Sequence, residues 1–122
     1  MPKRILVVED EVDCAQLFRF LLEPEGYAVQ VAFTLAEAHQ ALAQGPPPAL
    51  VLLDLVLPDG DGLSLCPVIR RRWPSLPVFV VSARGDAATR QAVLAAGCTA
   101  FLAKPFDPDA VLAQVRAQIG QP

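Results

Sequence analysis

Five polar residues stand directly after apolar segments of this 122-residue chain: Glu9, Asp10, Asp54, Ser82 and Lys104. Carboxylates are hard oxygen ligands that suit Mg²⁺, which takes few protein carboxylates and keeps several waters. A carboxylate can also act as a nucleophile and become an acyl phosphate. A metal ion and a lysine can neutralise the oxygens of a phosphoryl group, and a hydroxyl can donate to one of them. These residue types predict phosphoryl transfer to a carboxylate if the fold brings them together.

The strand that leads into Asp54 must position that carboxylate. The run before it, Leu50-Val51-Leu52-Leu53, is continuously apolar, which is typical of a strand buried on both faces in a helix-covered parallel sheet. Residues 55–62 follow, with one proline and two glycines that end the strand. Asp54 is therefore expected at the carboxyl end of a central strand, where open α/β sheets place their ligands. Taken alone, this pattern fits equally an acid that only caps the next turn.

Apolar runs and helical periodicity alternate along the whole chain. Strands are predicted at 4–8, 27–32, 50–53, 77–82 and 99–103, with helices at about 12–22, 35–43, 62–73, 87–97 and 108–119. Pro67 inside the third helix predicts a kink or a delayed start. Helical crossovers between successive strands imply one doubly wound α/β domain, a five-stranded parallel sheet with helices on both faces. We assign residues 1–122 to this single domain.

The parallel arrangement brings the chemically capable residues to one edge, because parallel strands share their direction. Three carboxylates meeting there would disfavour one another's ionisation, and a divalent cation such as Mg²⁺ would relieve that repulsion. Separately, an acidic loop, a turn serine and a surface lysine would each be ordinary features. Their coincidence at one sheet edge favours a site.

Composition excludes several function classes. Apolar residues make up 53% of the chain and charged residues 19%, which indicates a globular protein. The net charge of -3 and a pI of about 5.0 do not indicate the basic surface that nucleic-acid binding requires. The basic run at 70–72 is expected to be a solvated helix end. No apolar run has the length of a membrane span or signal peptide. The three cysteines, Cys14, Cys66 and Cys98, show no zinc pattern and are expected to be buried free thiols in a reducing cytoplasm.

Four motifs together resemble the receiver domain of bacterial two-component response regulators. The resemblance covers essentially the whole chain and implies the chemotaxis-type, flavodoxin-like fold with strand order 2-1-3-4-5. The matching segments are Ile5-Leu6-Val7-Val8-Glu9-Asp10-Glu11, Val51-Leu52-Leu53-Asp54-Leu55-Val56-Leu57-Pro58-Asp59-Gly60-Asp61-Gly62, Val80-Val81-Ser82-Ala83 and Ala103-Lys104-Pro105-Phe106.

The resemblance implies a phosphoacceptor and a metal site. Asp54 would accept a phosphoryl group from a phosphohistidine of a sensor histidine kinase or phosphotransfer protein. Asp10, Asp54 and the backbone carbonyl of Val56 would hold Mg²⁺, with Glu9 acting through water. Such a domain is no enzyme beyond catalysing its own phosphorylation and dephosphorylation.

The resemblance also implies a phosphoryl cradle and a switch. Ser82 and Lys104 would bind the phosphoryl group, and the Lys104–Pro105 peptide bond would be cis. Phosphorylation would draw Ser82 inward and let Phe101 follow, remodelling the face made by helix four, strand five and helix five. That face would contact a downstream target or output domain, or a second copy of the chain in a homodimer. The domain itself would be cytoplasmic and bind neither nucleic acid nor membrane.

Three other functions compete with this interpretation. A phosphatase with an aspartate nucleophile carries a second acid two residues later, where this chain has Val56. A flavin-binding electron carrier shares the fold but needs a hydroxyl-rich phosphate loop after strand one, where Glu9-Asp10-Glu11 would repel a phosphate. A receiver-like interaction module that works without phosphorylation is disfavoured by the full set of site residues but stays open.

Overall fold

A computed structural model describes residues 2–122 of the chain. Five strands, which we label β1 to β5, form one sheet, and five α-helices, α1 to α5, connect and follow them. The strands are Arg4–Val8, Ala28–Ala32, Leu50–Leu53, Val78–Ser82 and Ala100–Ala103, and the helices are Val12–Leu22, Leu35–Ala43, Leu65–Arg72, Ala87–Ala95 and Pro108–Ile119.

The sheet order confirms the predicted topology. All neighbouring strands are parallel in the order β2-β1-β3-β4-β5. The ladder continues one residue past the strands: the Asp54 N–H donates to the Val8 carbonyl at 2.9 Å, and the Lys104 N–H donates to the Ser82 carbonyl at 2.9 Å. Backbone pairing therefore sets the residues that follow β1, β3, β4 and β5 side by side along one edge.

Two hydrophobic clusters lie on opposite faces of the sheet. One is covered by α2, α3 and α4 and the other by α1 and α5. All four residues of β3 are buried, which explains why the run before Asp54 is continuously apolar. On α1, Phe18 is buried and stacks on Phe106 with ring centroids 5.1 Å apart, whereas the preceding Leu17 is 42% exposed.

The loop after β3 contains structure that the sequence pattern did not predict. Val56–Leu57 and Gly60–Asp61 pair as a short antiparallel hairpin. A 3₁₀ turn over Gly62–Ser64 then precedes α3. Pro67 consequently falls in the first turn of α3, where its missing N–H leaves no hydrogen bond unmade. Of the two alternatives for Pro67, the delayed helix start is the correct one.

The expectation of a solvated basic run is wrong for Arg70. Its Nε donates to the Gly97 carbonyl at 2.8 Å, and its Nη1 donates to the Leu76 carbonyl. Arg72 also reaches the Leu42 carbonyl, at 3.3 Å, whereas Arg71 is exposed. The run joins α3 to neighbouring segments because long side chains near a helix end can reach free carbonyls of adjacent turns.

Across residues 2–122, no helix combines the length and the apolar character that a membrane crossing requires.

Candidate functional site

Three carboxylates meet at the carboxyl edge of the sheet. Glu9, Asp10 and Asp54 each offer an oxygen, and these oxygens lie within 4.8 Å of one another. Glu9 and Asp54 are buried, at 2% and 8% exposure, while Asp10 is open to solvent. Hard oxygen donors around a partly open position suit a hydrated Mg²⁺ ion, so the residues present fit a divalent-cation site.

Lys104 supplies the positive charge of the cluster. Its Nζ donates to Glu9 Oε1 at 2.5 Å and to Asp54 Oδ2 at 3.1 Å. Burial alone would lower the pKa of Lys104, but the hydrogen bond to Glu9 and the charge of Asp54 outweigh it and raise that pKa above its usual range. Burial raises the pKa of Glu9, and the hydrogen bond from Lys104 opposes that rise. The ammonium therefore stays charged at neutral pH beside the candidate nucleophile.

Ser82 and a cleft complete the arrangement. The Ser82 side chain is buried, and its Oγ accepts from the Arg84 N–H at 3.1 Å, which leaves the hydroxyl proton free to be donated. The cleft has a volume of about 310 Å³, enough for a phosphoryl group, and is lined by Asp10, Asp54, Val56, Ser82, Arg84 and Lys104. The Lys104–Pro105 peptide bond is cis, as the resemblance implied.

The loop that follows Asp54 packs tightly against the backbone of Asp54 and Leu55. Asp54 Oδ1 accepts from the Val56 N–H at 3.2 Å, and the Gly62 N–H donates to the Leu55 carbonyl at 2.8 Å. A Cβ atom on Gly62 would lie 2.0 Å from the Asp54 carbonyl oxygen. Only glycine at position 62 therefore allows the loop to pass this close to the Asp54 backbone.

The other two acids of the loop serve as helix caps. The Asp59 carboxylate accepts from the Leu35 and Ala36 N–H groups at 2.8 and 3.0 Å, so the loop docks on the start of α2. These hydrogen bonds lower the pKa of Asp59. Asp61 accepts from the Leu63 N–H at 2.9 Å. Sequence reasoning missed the docking of Asp59, since nothing local to that residue indicates a partner on α2.

Phe101 lies at the base of α4 instead of inside the cleft. Its ring is half-buried, and the Arg90 guanidinium carbon stands 4.6 Å from the ring centroid. Arg90 also donates through Nε to the Gly85 carbonyl at 3.0 Å. The aromatic side chain is thus covered by a cation from α4, a contact that a periodicity pattern does not reveal.

Comparison with known proteins agrees with this geometry. The model of the family described as response regulator receiver domain matches residues 5–116. The chain belongs to the response regulator receiver domain family. The response regulator MprA of Mycobacterium sp. (strain KMS) is 39% identical over 117 residues, which cover 96% of this chain and 50% of the relative. This receiver domain thus spans about half the length of the curated relatives it matches.

Solved receiver structures share its fold throughout. A CheY-like response regulator receiver domain protein from Methanospirillum hungatei JF-1 is 28% identical, with a TM-score of 0.89 over 98% of this chain and 94% of that one. The BeF3-activated receiver domain of DrrB, a Thermotoga maritima protein, is 25% identical, with a TM-score of 0.88 over 99% of this chain and 100% of that one. The α/β receiver fold of this chain follows from these matches.

Proposed function

We propose that this receiver domain, over residues 1–122, accepts a phosphoryl group on Asp54 from a phosphohistidine of a sensor histidine kinase or phosphotransfer protein. The observation that carries the proposal is the position of Lys104, which bonds both Asp54 and Glu9 at the wall of a cleft that also holds Ser82. An Asp54 oxygen attacks phosphorus, the bond from phosphorus to the histidine nitrogen breaks, and that nitrogen keeps the electron pair. Lys104 and the Ser82 hydroxyl then bind oxygens of the transferred group.

Mg²⁺ is the cofactor of this proposal. Asp10, Asp54 and the Val56 carbonyl would hold it, with Glu9 acting through water. When bound, the ion neutralises charge on the transferring phosphoryl group. The close approach of the three carboxylates supports this assignment, because they would otherwise repel one another.

Metal removal tests the proposal directly. Incubation with acetyl phosphate and Mg²⁺ is expected to add about 80 Da, the mass of one phosphoryl group, and excess EDTA is expected to prevent the gain. Intact-mass spectrometry measures both. If the protein binds Mg²⁺ but gains no mass, the alternative, an interaction module that works without phosphorylation, replaces the proposal.

Val56 is expected to make the phosphorylated state persist. Its side chain is 58% exposed in the cleft and cannot orient a water molecule for attack on the acyl phosphate. Val56→Asn supplies a polar group there, and we expect dephosphorylation to accelerate roughly tenfold, about 1.4 kcal/mol of barrier. Decay of the added mass after removal of acetyl phosphate measures the lifetime. Val68→Asn changes an exposed valine on α3 and is the control; a parent lifetime of seconds that Val56→Asn leaves unaltered would contradict the expectation.

The switch is proposed to run from Ser82 to Phe101. When Ser82 turns to donate to the phosphoryl group, the Phe101 ring is expected to move inward and lose its contact with Arg90, which remodels the face made by α4, β5 and α5. Crystal structures with and without beryllofluoride would show the two ring positions. The same Phe101 rotamer in both structures would refute the switch.

The proposed partners follow from the same two events. A sensor kinase or phosphotransfer protein supplies the phosphoryl group in the cytoplasm, and the α4-β5-α5 face binds a target, an output domain or a second copy of the chain. The homologous relatives are about twice as long as this chain, which supports an output domain as one such partner. Nucleic acid and membrane are not proposed as partners of this domain.

A further inference from the structure

Two of the three free cysteines lie in the same hydrophobic cluster, and neither lines the cleft of the proposed phosphorylation site. Cys66 is the second residue of α3, and Cys98 lies in the turn between α4 and β5. Both belong to the hydrophobic cluster beneath α2, α3 and α4, with exposures of 1% and 7%. The third, Cys14, belongs to α1, lies outside this cluster and is only partly buried, contrary to the expectation that all three thiols are buried.

The backbone on each side of the pair is held in place. One turn after Cys66, Arg70 donates to the carbonyl of Gly97, the residue before Cys98, at 2.8 Å. A Cβ atom on Gly97 would lie 3.4 Å from Arg70 Cγ, so these segments are in van der Waals contact. The Cys98 N–H donates to the Val93 carbonyl at 3.2 Å, and the next residue joins β4 through the Thr99 N–H and the Val78 carbonyl at 2.8 Å. The start of α3 and the turn that carries Cys98 are therefore anchored against each other, with both cysteines in the same buried cluster.

The two thiols differ in their surroundings. Interactions with the Cys66 thiol and the nearby Arg70 guanidinium lower the pKa of Cys98, although burial opposes this. Interaction with Cys98 and burial raise the pKa of Cys66. Cys98 is also the more exposed of the two. Because it is the more exposed thiol, Cys98 is expected to meet an oxidant first, and Cys66 is expected to react after it.

We propose that Cys66 and Cys98 are a peroxide-oxidisable dithiol that closes into an intramolecular disulfide between α3 and the turn before β5. The Cys98 thiolate attacks one oxygen of hydrogen peroxide, the O–O bond breaks, and hydroxide leaves, which gives a sulfenic acid. The Cys66 sulfur then attacks the Cys98 sulfur, its proton goes to the departing hydroxyl, and water leaves. Two thiols and one peroxide yield one disulfide and two waters. A dithiol reductant reverses the change.

The disulfide would act on the proposed switching face. It joins α3, the helix that follows the loop after Asp54, to the turn that leads into β5 and Phe101. The contact between these segments would become covalent, so rearrangements of the α4–β5 turn that separate Cys98 from α3 would be blocked. Oxidation is therefore expected to raise the urea midpoint of unfolding, and reduction is expected to return it.

Thiol counting on the full chain tests the pair. After treatment with hydrogen peroxide and removal of the excess with catalase, the protein is unfolded in acid and alkylated with N-ethylmaleimide. The parent is expected to fall from three alkylated thiols to one, with loss of two hydrogens by intact mass and no covalent dimer. Trypsin cuts after lysine and arginine and places the three cysteines on different peptides, so the expected product is a linked peptide pair that holds Cys66 and Cys98.

Matched variants decide between this pair and unspecific oxidation. Cys14→Ser keeps the pair and is expected to fall from two alkylated thiols to none. Cys66→Ala and Cys98→Ala are each expected to form no disulfide. A second oxidant, diamide, is expected to form the disulfide in the parent and in Cys14→Ser alike. Three alkylated thiols in the oxidised parent, a linked peptide that contains Cys14, or sulfinic acid on Cys98 without the disulfide would overturn the proposal.

Discussion

Replacement of Asp54 by alanine is expected to abolish phosphorylation completely. The parent is expected to gain about 80 Da from acetyl phosphate and Mg²⁺, and Asp54→Ala is expected to gain nothing because it lacks the carboxylate that we propose attacks phosphorus. None of the other acids at this edge and loop is free in the same way: Glu9 is buried against Lys104, Asp10 is a proposed Mg²⁺ ligand, and Asp59 and Asp61 accept backbone N–H groups as caps. Intact mass over a time course measures the effect.

The same variant is expected to fold. Lys104 keeps its hydrogen bond to Glu9 at 2.5 Å, and removal of one of three neighbouring carboxylates relieves repulsion. Urea unfolding with Mg²⁺ absent should therefore show a free energy of unfolding close to that of the parent. Asp13→Ala removes an exposed carboxylate on α1 and serves as the control that phosphorylates normally. A gain of one phosphoryl group on Asp54→Ala would mean that the acceptor is a different residue.

Gly62→Ala is expected to be the most destabilising single-methyl change in the acceptor loop. The added Cβ would stand 2.0 Å from the Asp54 carbonyl oxygen and 3.1 Å from the Leu55 Cα, both backbone atoms that cannot rotate away. Overpacking of this kind typically costs about 1–3 kcal/mol and occasionally more, and we expect about 3 kcal/mol. Urea unfolding measures the loss. Because the loop must shift at Asp54 itself, phosphorylation is expected to slow as well.

Gly85→Ala is the matched control for that experiment. A Cβ on Gly85 meets nothing closer than Arg90 Nη2 at 3.8 Å. The exchange is therefore expected to change the free energy of unfolding by less than about 1 kcal/mol, in the stabilising direction if the unfolded chain loses freedom. Equal losses in the two variants would show that the cost comes from the exchange itself and not from the close approach to Asp54.

The strands and their order were predictable because a strand buried on both faces is a continuous run of apolar residues, which is visible in the sequence. The continuous apolar runs that precede Glu9 and Asp54 are strands β1 and β3, and helical connections impose parallel pairing. Once the strands are parallel, residues that follow them must share an edge. The convergence of Glu9, Asp10 and Asp54 follows from that rule, and their oxygens do meet.

Contacts between distant loops were not predictable from local pattern. The docking of Asp59 on α2, the anchoring of α3 by Arg70, and the burial of Cys66 and Cys98 in one cluster each join segments well separated in the chain. Hydrophobic periodicity reports which face of an element is buried and carries no information on which loop a side chain reaches. The hairpin at Val56–Leu57 and Gly60–Asp61 was missed for a related reason, since two-residue strands are too short to show alternation.

The salt bridges of Lys104 carry a consequence for electroneutrality. With all three carboxylates ionised, Glu9, Asp10 and Asp54 carry three negative charges. Lys104 carries one positive charge, so the net charge of the site is about minus two. One divalent cation balances this, and conversion of a carboxylate to an acyl phosphate then adds one negative charge. Attraction of a divalent cation to a doubly negative site weakens with ionic strength, because the screening length falls from about 30 Å at 0.01 M salt to about 8 Å at 0.15 M. Phosphorylation rates measured in dilute buffer at limiting Mg²⁺ will consequently exceed those at physiological salt.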